Sequence, residues 1–424
     1  MNLTKTPQLH RDWIDPQAFR IVKALQSEGF TTYLVGGCVR DLLLGLAPKD
    51  FDIGTNASPQ SVKRIIPKAF IIGKRFRLVL VKRGEHQYEV ATFRREATEE
   101  ELQNPELSGD NLFGSPEEDA NRRDFTVNAL FYDPMGDQLI DYAHGLEDHQ
   151  ARLIRMIGEP KKRLLEDPIR ILRALRLAHK IRFGIEPSLR EAMQTEAESL
   201  VATALPRRRE EWLKLLRLKS PENAFCEAYD LGLLQFISPT LQHVFENSDS
   251  RETFLTQLAR LPIGGIDRSQ PIELFSYLVH AYVRSTLEKD PTQPIKSRTL
   301  QENAPLHDFM SKELGMFKTE QLMATSALHL QSVLQRREEF ERKGGRRQMA
   351  VMSRIGFPMA LKFSLLDLTL SPSDWHFWLH LYNTAWLEME DTEGAPPSRR
   401  RRSRNRRRKK APKRANVESE KNLD

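Results

Sequence analysis

LVGGCVRDLLLGLAPKDFDIGT (residues 34–55) is the stretch from which the fold is read. It runs from a short apolar strand through a Gly-Gly turn into a helix, and then into a second short strand that opens on Asp50-Phe51-Asp52. Gly36 and Gly37 let backbone amides come close to a ligand, and the helix start after them favours an anion. Arg40 adds a fixed positive charge. A Gly-Gly turn alone also reads as a plain structural turn; the acidic pair thirteen residues later gives it weight. Asp50 and Asp52 stand at i and i+2, so on a strand they project from one face while Phe51 and Ile53 point to the core. Two carboxylates at that spacing repel each other unless a cation lies between them. Mg²⁺ takes hard oxygen ligands and is held by one or two carboxylates together with substrate phosphates. An exposed Asp-x-Asp at a strand end is the plainer alternative.

Outward from this stretch the pattern is mixed and then helical. Residues 13–29 read as an amphipathic helix stopped at Gly29. Strand-like runs are expected at Thr32–Val35, Phe51–Ile53, Phe70–Ile72, Phe76–Lys82, Tyr88–Phe93, Val127–Tyr132 and Gln138–Tyr142, with a helical pattern at Pro59–Ile66 among them. Residues 96–118 are acidic and rich in Pro, Gly and Asn, and read as a flexible excursion. From about Pro160 almost to Met389 the apolar residues recur at helical spacing. In that region the cluster Arg336–Arg347 reads as a solvated helix end and turn, with RNA contact as the alternative. The fold class expected is α+β. Its units are an N-terminal helix (1–30), a head with a small mixed sheet (31–155), a helical neck (156–235), a helical body (236–393) and a disordered basic C-terminus (394–424).

Composition bounds the function. The chain has 424 residues, enough for two or three domains. Mean hydropathy is −0.53, and no run of 18 apolar residues offers a membrane span. The N-terminal residues lack a signal pattern, so a cytoplasmic location is expected. Two cysteines, Cys38 and Cys226, exclude a disulfide scaffold and a Cys-based zinc cluster. The net charge of +7 is unevenly spread: residues 399–414 hold 12 Lys/Arg and no acid, while residues 1–398 carry 52 basic and 55 acidic groups. Such a polycation repels itself and suits a polyanion. Arg399, Arg400, Arg401, Arg402, Arg406, Arg407 and Arg408 are therefore read as RNA-binding.

Three further segments carry chemistry. Glu89, inside the strand-like run YEVATF, is either a third carboxylate for the site or an edge-strand acid facing water. In RRDFTVNAL (122–130) two cations stand beside an acid at the entry to an apolar run. They form either a salt-bridged element start or a site in which the arginines hold triphosphate oxygens and Asp124 orients ribose or arginine. In EDPIR (166–170) Asp167 suits a helix N-cap and Pro168 the first helical position. Arg170, Arg173 and Arg176 then line one strip of that helix. As a functional pair, Asp167 would accept from an exocyclic amino group while Arg170 donates to the adjacent ring nitrogen. That pattern fits adenine and cytosine and mismatches uracil and guanine.

LVGGCVRD, KDFDIGT, RRDFTVNAL and EDPIRILRALR, in this order over about residues 30–190, resemble the class II branch of the polymerase-β-like nucleotidyltransferases, which holds CCA-adding enzymes and bacterial poly(A) polymerases. The resemblance implies a catalytic nucleotidyltransferase head followed by helical neck, body and tail. It implies metal binding at Asp50 and Asp52 and an essential acid at Asp124, so that Asp50, Asp52 and Asp124 are the expected catalytic residues. It implies nucleotide contacts at Gly37, Arg40, Arg123, Asp167, Arg170 and Arg173; Gly36 and Arg176 join them as neighbours in the same segments. GKRFRL (73–78), NLFGSPEEDANRRDFT (111–126) and the Arg-rich C-terminus are similar to the poly(A) polymerase side of the family. The activity implied is template-independent addition of AMP from ATP to RNA 3′ ends with two Mg²⁺ ions. Expected partners are RNA, ATP and proteins of RNA degradation or RNA chaperoning. The alternatives are a tRNA CCA-adding enzyme and a non-catalytic RNA-binding protein.

Overall fold

The computed structural model describes residues 9, 11–73, 78–98, 101, 112–262, 265–287, 290, 293, 295 and 297–393. The arginines expected to bind RNA, Arg399 to Arg408, and most of GKRFRL lie outside the described residues, as does the middle of the 96–118 segment.

Helix α1 (Pro16–Ser27) starts where its sequence lets it. The Asp15 carboxylate accepts from the amides of Gln17 and Ala18, and Pro16 fills the first turn, where a missing N–H costs nothing. All seven expected strands are present: β1 (Thr32–Val35), β2 (Asp52–Thr55), β3 (Ala69–Ile72), β4 (Leu78–Arg83), β5 (His86–Thr92), β6 (Leu130–Asp133) and β7 (Gln138–Asp141). They form one sheet in the order β3-β4-β5-β2-β1-β6-β7. Only β2 and β5 run parallel; the other neighbours are antiparallel, so the sheet is mixed. Helices α2 (Gly37–Leu43) and α3 (Pro59–Ile65) make the first connections.

Alternation along the strands sorts the two faces. Leu34, Ile53, Val79, Val81, Tyr88 and Val90 point to α1 and α3 and bury with Ile21, Val22, Leu25 and Val62. The opposite face divides in two. Over β1, β2 and β6 it is covered by a cluster that includes Val35, Phe93 and Phe131. Phe93 presses so closely on Gly54 that a Cβ there would lie 2.6 Å from its ring. Beyond β5 that cluster does not continue, and among the described residues Phe70 and Ile72 of β3 are exposed.

Two expectations are corrected. The strand read over Val127–Tyr132 is a 3₁₀ turn at Thr126–Asn128 followed by β6, because Asn128 and Ala129 close back on Phe125 and Thr126 through backbone hydrogen bonds. The excursion ends early: Ser115-Pro116-Glu117-Glu118 forms a capping box and starts helix α4 (Pro116–Asn121).

The remainder is helical, apart from a two-stranded parallel pair, Leu153–Ile154 with Gly184–Ile185. Helices α5 (Pro160–Glu166), α6 (Ile169–Ile181) and α7 (Leu205–Leu216) form the neck. Helices α8 (Pro271–Thr286), α9 (Lys318–Leu334) and α10 (Phe357–Leu366) form the centre of the body. One continuous core runs from Phe125 through these helices to Trp378. The segment around Arg336–Arg347 is a helix end and turn, Arg337–Glu341 followed by Gly345–Met352. Among the described residues no single helix is long and apolar enough to cross a membrane.

Candidate active site

A cleft of about 890 Å³ opens between the head and the neck. That size lies within the range of small-ligand pockets. Nine Arg/Lys and six Asp/Glu side chains line it, a positive excess that suits a polyphosphate. Gly36, Gly37, Arg40, Asp50, Asp52, Arg123, Asp124, Asp167, Arg170, Arg173 and Arg176 all reach it, so residues scattered over about 140 positions share one cavity.

The Gly-Gly turn is built for close approach. Gly36 has φ 75°, in the left-handed region that favours glycine, and a Cβ there would stand 2.9 Å from the Arg123 guanidinium. Arg40 is buried on α2. It is bound to Asp41 at 2.5 and 2.9 Å and to the Asn128 side chain at 2.5 Å, which fixes its charge at the cleft floor.

Asp50 is not on a strand. It lies in a bend before β2, which begins at Asp52, so the same-face argument from strand geometry applies to Asp52 alone. Both carboxylates nevertheless line the cleft, while Phe51 and Ile53 are buried as expected. Glu89 is the direct register partner of Asp52 across the parallel β2–β5 pair and therefore shares its face. Among the described residues, Asp50, Asp52 and Glu89 make no ion pair. The Asp52 carboxyl opens on the cleft but is crowded by protein atoms. That desolvation, then the charge of Glu89 and, more weakly, of Asp50, pushes it up to about 6 against the pull of Arg123. Among the described residues no three His, Cys, Asp or Glu side chains gather closely enough to ligate one ion. Glu89 thus stands beside Asp52 on one face and acts on it as a neighbouring charge.

The other acids of the cleft are already taken. Asp119, nearly fully buried, holds Arg122 at 2.5 Å and Arg123 at 2.9 Å from one turn earlier in the chain, and also accepts the Arg94 amide. Asp124 gives one oxygen to Arg173, at 2.5 and 2.9 Å, and the other to the Phe125 amide and the Asn128 side chain. Burial would raise its carboxyl, but Arg173 and these hydrogen bonds hold it below the ordinary value. Asp124 is therefore an anchor for Arg173, not a free base.

The expected helix cap is not observed. The Asp167 carboxylate caps no helix; it takes a bidentate pair from Arg207 of α7 at 2.7 and 2.9 Å, and only its carbonyl receives the Arg170 amide. A guanidinium outcompetes a backbone amide because the pair is charge-assisted on both oxygens. Arg170 donates to the Arg163 carbonyl at 2.7 Å and to Glu166 at 3.3 Å, and Arg176 is bound to Glu211 at 2.8 Å. Asp167 and Arg170 thus flank the cleft without bonding each other through their side chains.

Sequence reading missed Asp119, Asn128, Arg163, Arg207 and Glu211. Asp119 was legible in DANRR, where it lies three and four residues before Arg122 and Arg123 on a helix. Arg163 joins neck to head by donating to the carbonyls of Arg122 and Arg123, and nothing local marks it. Arg207 lies forty residues from Asp167.

Residues 32–155 match the model of the poly(A) polymerase head domain, and residues 182–245 match a model described as a probable RNA and SrmB-binding site of polymerase A. Poly(A) polymerase I of Salmonella typhimurium is 41% identical over 251 residues, 57% of this chain and 54% of that protein. A CCA-adding enzyme of Bacillus licheniformis is 37% identical over 217 residues, 51% of this chain and 54% of that protein. The chain thus spans about half the length of the curated relatives it matches. The crystal structure of the Bacillus stearothermophilus CCA-adding enzyme in complex with CTP superposes with a TM-score of 0.62 at 25% identity, over 91% of this chain and 90% of that one.

Proposed function

We propose that this chain, which carries the head and the RNA-binding unit of the poly(A) polymerase family on a class II nucleotidyltransferase fold, is a template-independent polynucleotide adenylyltransferase that adds AMP from ATP to RNA 3′ ends. The observation that carries the reading is the pair of carboxylates Asp50 and Asp52, without an ion pair among the described residues, sharing one cleft with anchored arginines. The RNA 3′-hydroxyl oxygen attacks the α-phosphorus of ATP, the hydroxyl proton is released to solvent water, the bond from the α-phosphorus to the bridging oxygen breaks, and pyrophosphate leaves. Arg123 and Arg173, held by Asp119 and Asp124, neutralise the phosphates without having to reorganise. Gly36 and Gly37 let the chain approach them, and Arg40 fixes a charge beneath. Asp167 and Arg170 flank the base; Arg207 sets where the Asp167 oxygens lie.

The donor set fits Mg²⁺. Two hard oxygen acids without an ion pair among the described residues, one of them raised by burial and then by like charge, supply the protein's share of a site that substrate phosphates complete. Asp50 and Asp52 would hold the metal, whose bound charge lowers the pKa of the attacking hydroxyl and stabilises the departing pyrophosphate.

The basic segment at residues 399–414 supports a further role in holding RNA phosphates, and the match over 182–245 supports RNA on the neck. Proteins of RNA degradation or RNA chaperoning in the cytoplasm are partners consistent with this reading. A second reading, CCA addition to tRNA, is favoured by the likeness to the CTP-bound structure. The two separate with purified protein. ATP alone should extend an RNA without a tRNA fold by many adenylates. Faithful completion of a tRNA lacking CCA, with no oligo(A) on other RNAs, would decide for the second reading.

A further inference from the structure

The cleft face of the sheet does not end at the carboxylates. Asp52 pairs with Glu89, Glu89 with Leu80, and Leu80 with Phe70; paired residues share a face, so these four side chains form one row across β2, β5, β4 and β3. A second row runs beside it, where Leu78 lines the cleft itself and pairs with Ile72 on the edge strand. Phe70 is 51% exposed and Ile72 42% exposed, an unusual state for large apolar side chains on a strand. Lys82, exposed and paired with Gln87, borders the same strip. Over β1, β2 and β6 this face is covered by the cluster of Val35, Phe93 and Phe131; that cluster does not extend over β3 and β4, where, among the described residues, Leu78 and Leu80 are half-buried and Phe70 and Ile72 exposed.

We infer that Phe70, Ile72, Leu78 and Leu80 form a stacking platform for the last nucleotides of the RNA primer, with Lys82 pairing a phosphate beside it. The inference rests on the reading of the cleft as a site of RNA 3′-end extension. The 3′-hydroxyl must reach Asp52, so the chain behind it must leave the cleft over some surface. The platform is continuous with the carboxylates and lies within reach. Three strand spacings, about 14 Å, separate Asp52 from Phe70. That is the span of about four nucleotides stacked at 3.4 Å, and of fewer in an extended strand. A ring and aliphatic side chains with a cation at their border suit a base with its phosphate. Such stacking tolerates any base, as a primer whose sequence is not fixed requires.

The test uses the full chain and a set of oligo(A) primers, each carrying a fluorescent adenine analogue at one of the last few positions. In the wild-type enzyme one position should show quenching on binding. Phe70→Ala should lose that quenching and raise the KM for RNA roughly fivefold to a hundredfold, with the KM for ATP unchanged. Phe70→Trp should keep both. Lys82→Ala should bind RNA less tightly, with a salt slope shallower by about 0.7. Phe70 is exposed, so its truncation spares the core. The fluorescence reads binding without turnover, so loss of quenching supports the platform even in an enzyme that does not extend RNA, and failure of the wild type to extend counts against the proposed activity alone. Unchanged quenching at every position with an unchanged KM for RNA overturns the inference. So does the case in which Phe70→Ala leaves RNA binding intact but dissociates a dimer in sedimentation, which makes this face a contact between copies.

Discussion

Charges in the helical body and charges in the cleft obey the same physics and end in opposite states. In the body, Asp367 lies at the centre of a fully buried set. Its carboxylate accepts from His280 at 2.9 Å, Arg284 at 2.9 Å and Gln331 at 3.2 Å, joining α8, α9 and the end of α10. Burial would raise its carboxyl, but His280 and Arg284 hold it well below the usual carboxylate range. Arg209 of α7 meets Glu320 of α9 at 2.7 Å, sandwiched between the rings of Phe275 and Phe317. Each of these carboxylates is neutralised by a cation inside the protein. In the cleft, Asp119, Asp124 and Asp167 are likewise paired with arginines, but Asp50, Asp52 and Glu89 form no ion pair among the described residues. The body uses charge to fix helices. The cleft keeps three acids without an ion pair among the described residues, and crowding together with like charge raises one of them, Asp52, as in a site shaped for a ligand.

That contrast can be broken first at Asp52. Asp52→Ala should lower nucleotide incorporation by roughly a thousandfold or more while leaving a folded protein, because one of the two carboxylates proposed to hold the metal is gone. Its effect on stability should have the opposite sign. A carboxyl raised to about 6 contributes stability below its ordinary value of 3.8, and that contribution is lost as pH rises through about 6. In the presence of a chelator, Asp52→Asn should therefore gain melting temperature on the wild type as pH climbs from 5 to 8, by about one to a few degrees. A variant that melts lower than the wild type at pH 8 would place Asp52 among the structural acids of the body.

The body should behave in reverse. Asp367→Ala leaves Arg284 and His280 buried without their acceptor and should cost about 3–5 kcal/mol in urea unfolding. The specific activity of the molecules still folded at low temperature should stay near that of the wild type. Because the Asp367 carboxyl is held low, its contribution is present above the ordinary carboxylate value and is lost only as pH falls below it. Acid should narrow the gap between wild type and variant.

The finest comparison lies between two acids of the cleft that are both ion-paired. Asp167→Ala should relax discrimination against UTP and GTP by about one to two decades, the worth of one charged hydrogen bond. Arg207→Ala should do so more weakly, since it frees the Asp167 oxygens without removing them. Measured selectivity for each NTP in single-nucleotide addition decides. Equal selectivity in both variants and the wild type would reduce the pair to a neck–neck salt bridge.

Much of this was legible in the sequence. The seven strands, the mixed sheet and the helical remainder come from alternation and from the 3.6-residue period, which act over a few residues. Asp50, Asp52 and the arginines at 123, 170, 173 and 176 stood out because their spacing is local. What failed was also local chemistry, overruled by distant partners. Asp167 has the sequence of a helix cap, but a guanidinium forty residues on offers two charged hydrogen bonds in place of one amide. Asp50 reads as a strand residue because alternation cannot mark where pairing begins.

By itself the sequence determined which residues carry charge, which strands and helices form, and which segments are apolar on one side. Only the tertiary structure decided which charges are left over. Whether an aspartate is an anchor or a free ligand depends on whether an arginine from another element reaches it, and sheet register decides that Glu89 stands beside Asp52 and Phe70 in line with both. Pairing across a sheet and across a cleft is fixed by packing between segments far apart in the chain, and no window of neighbouring residues contains it.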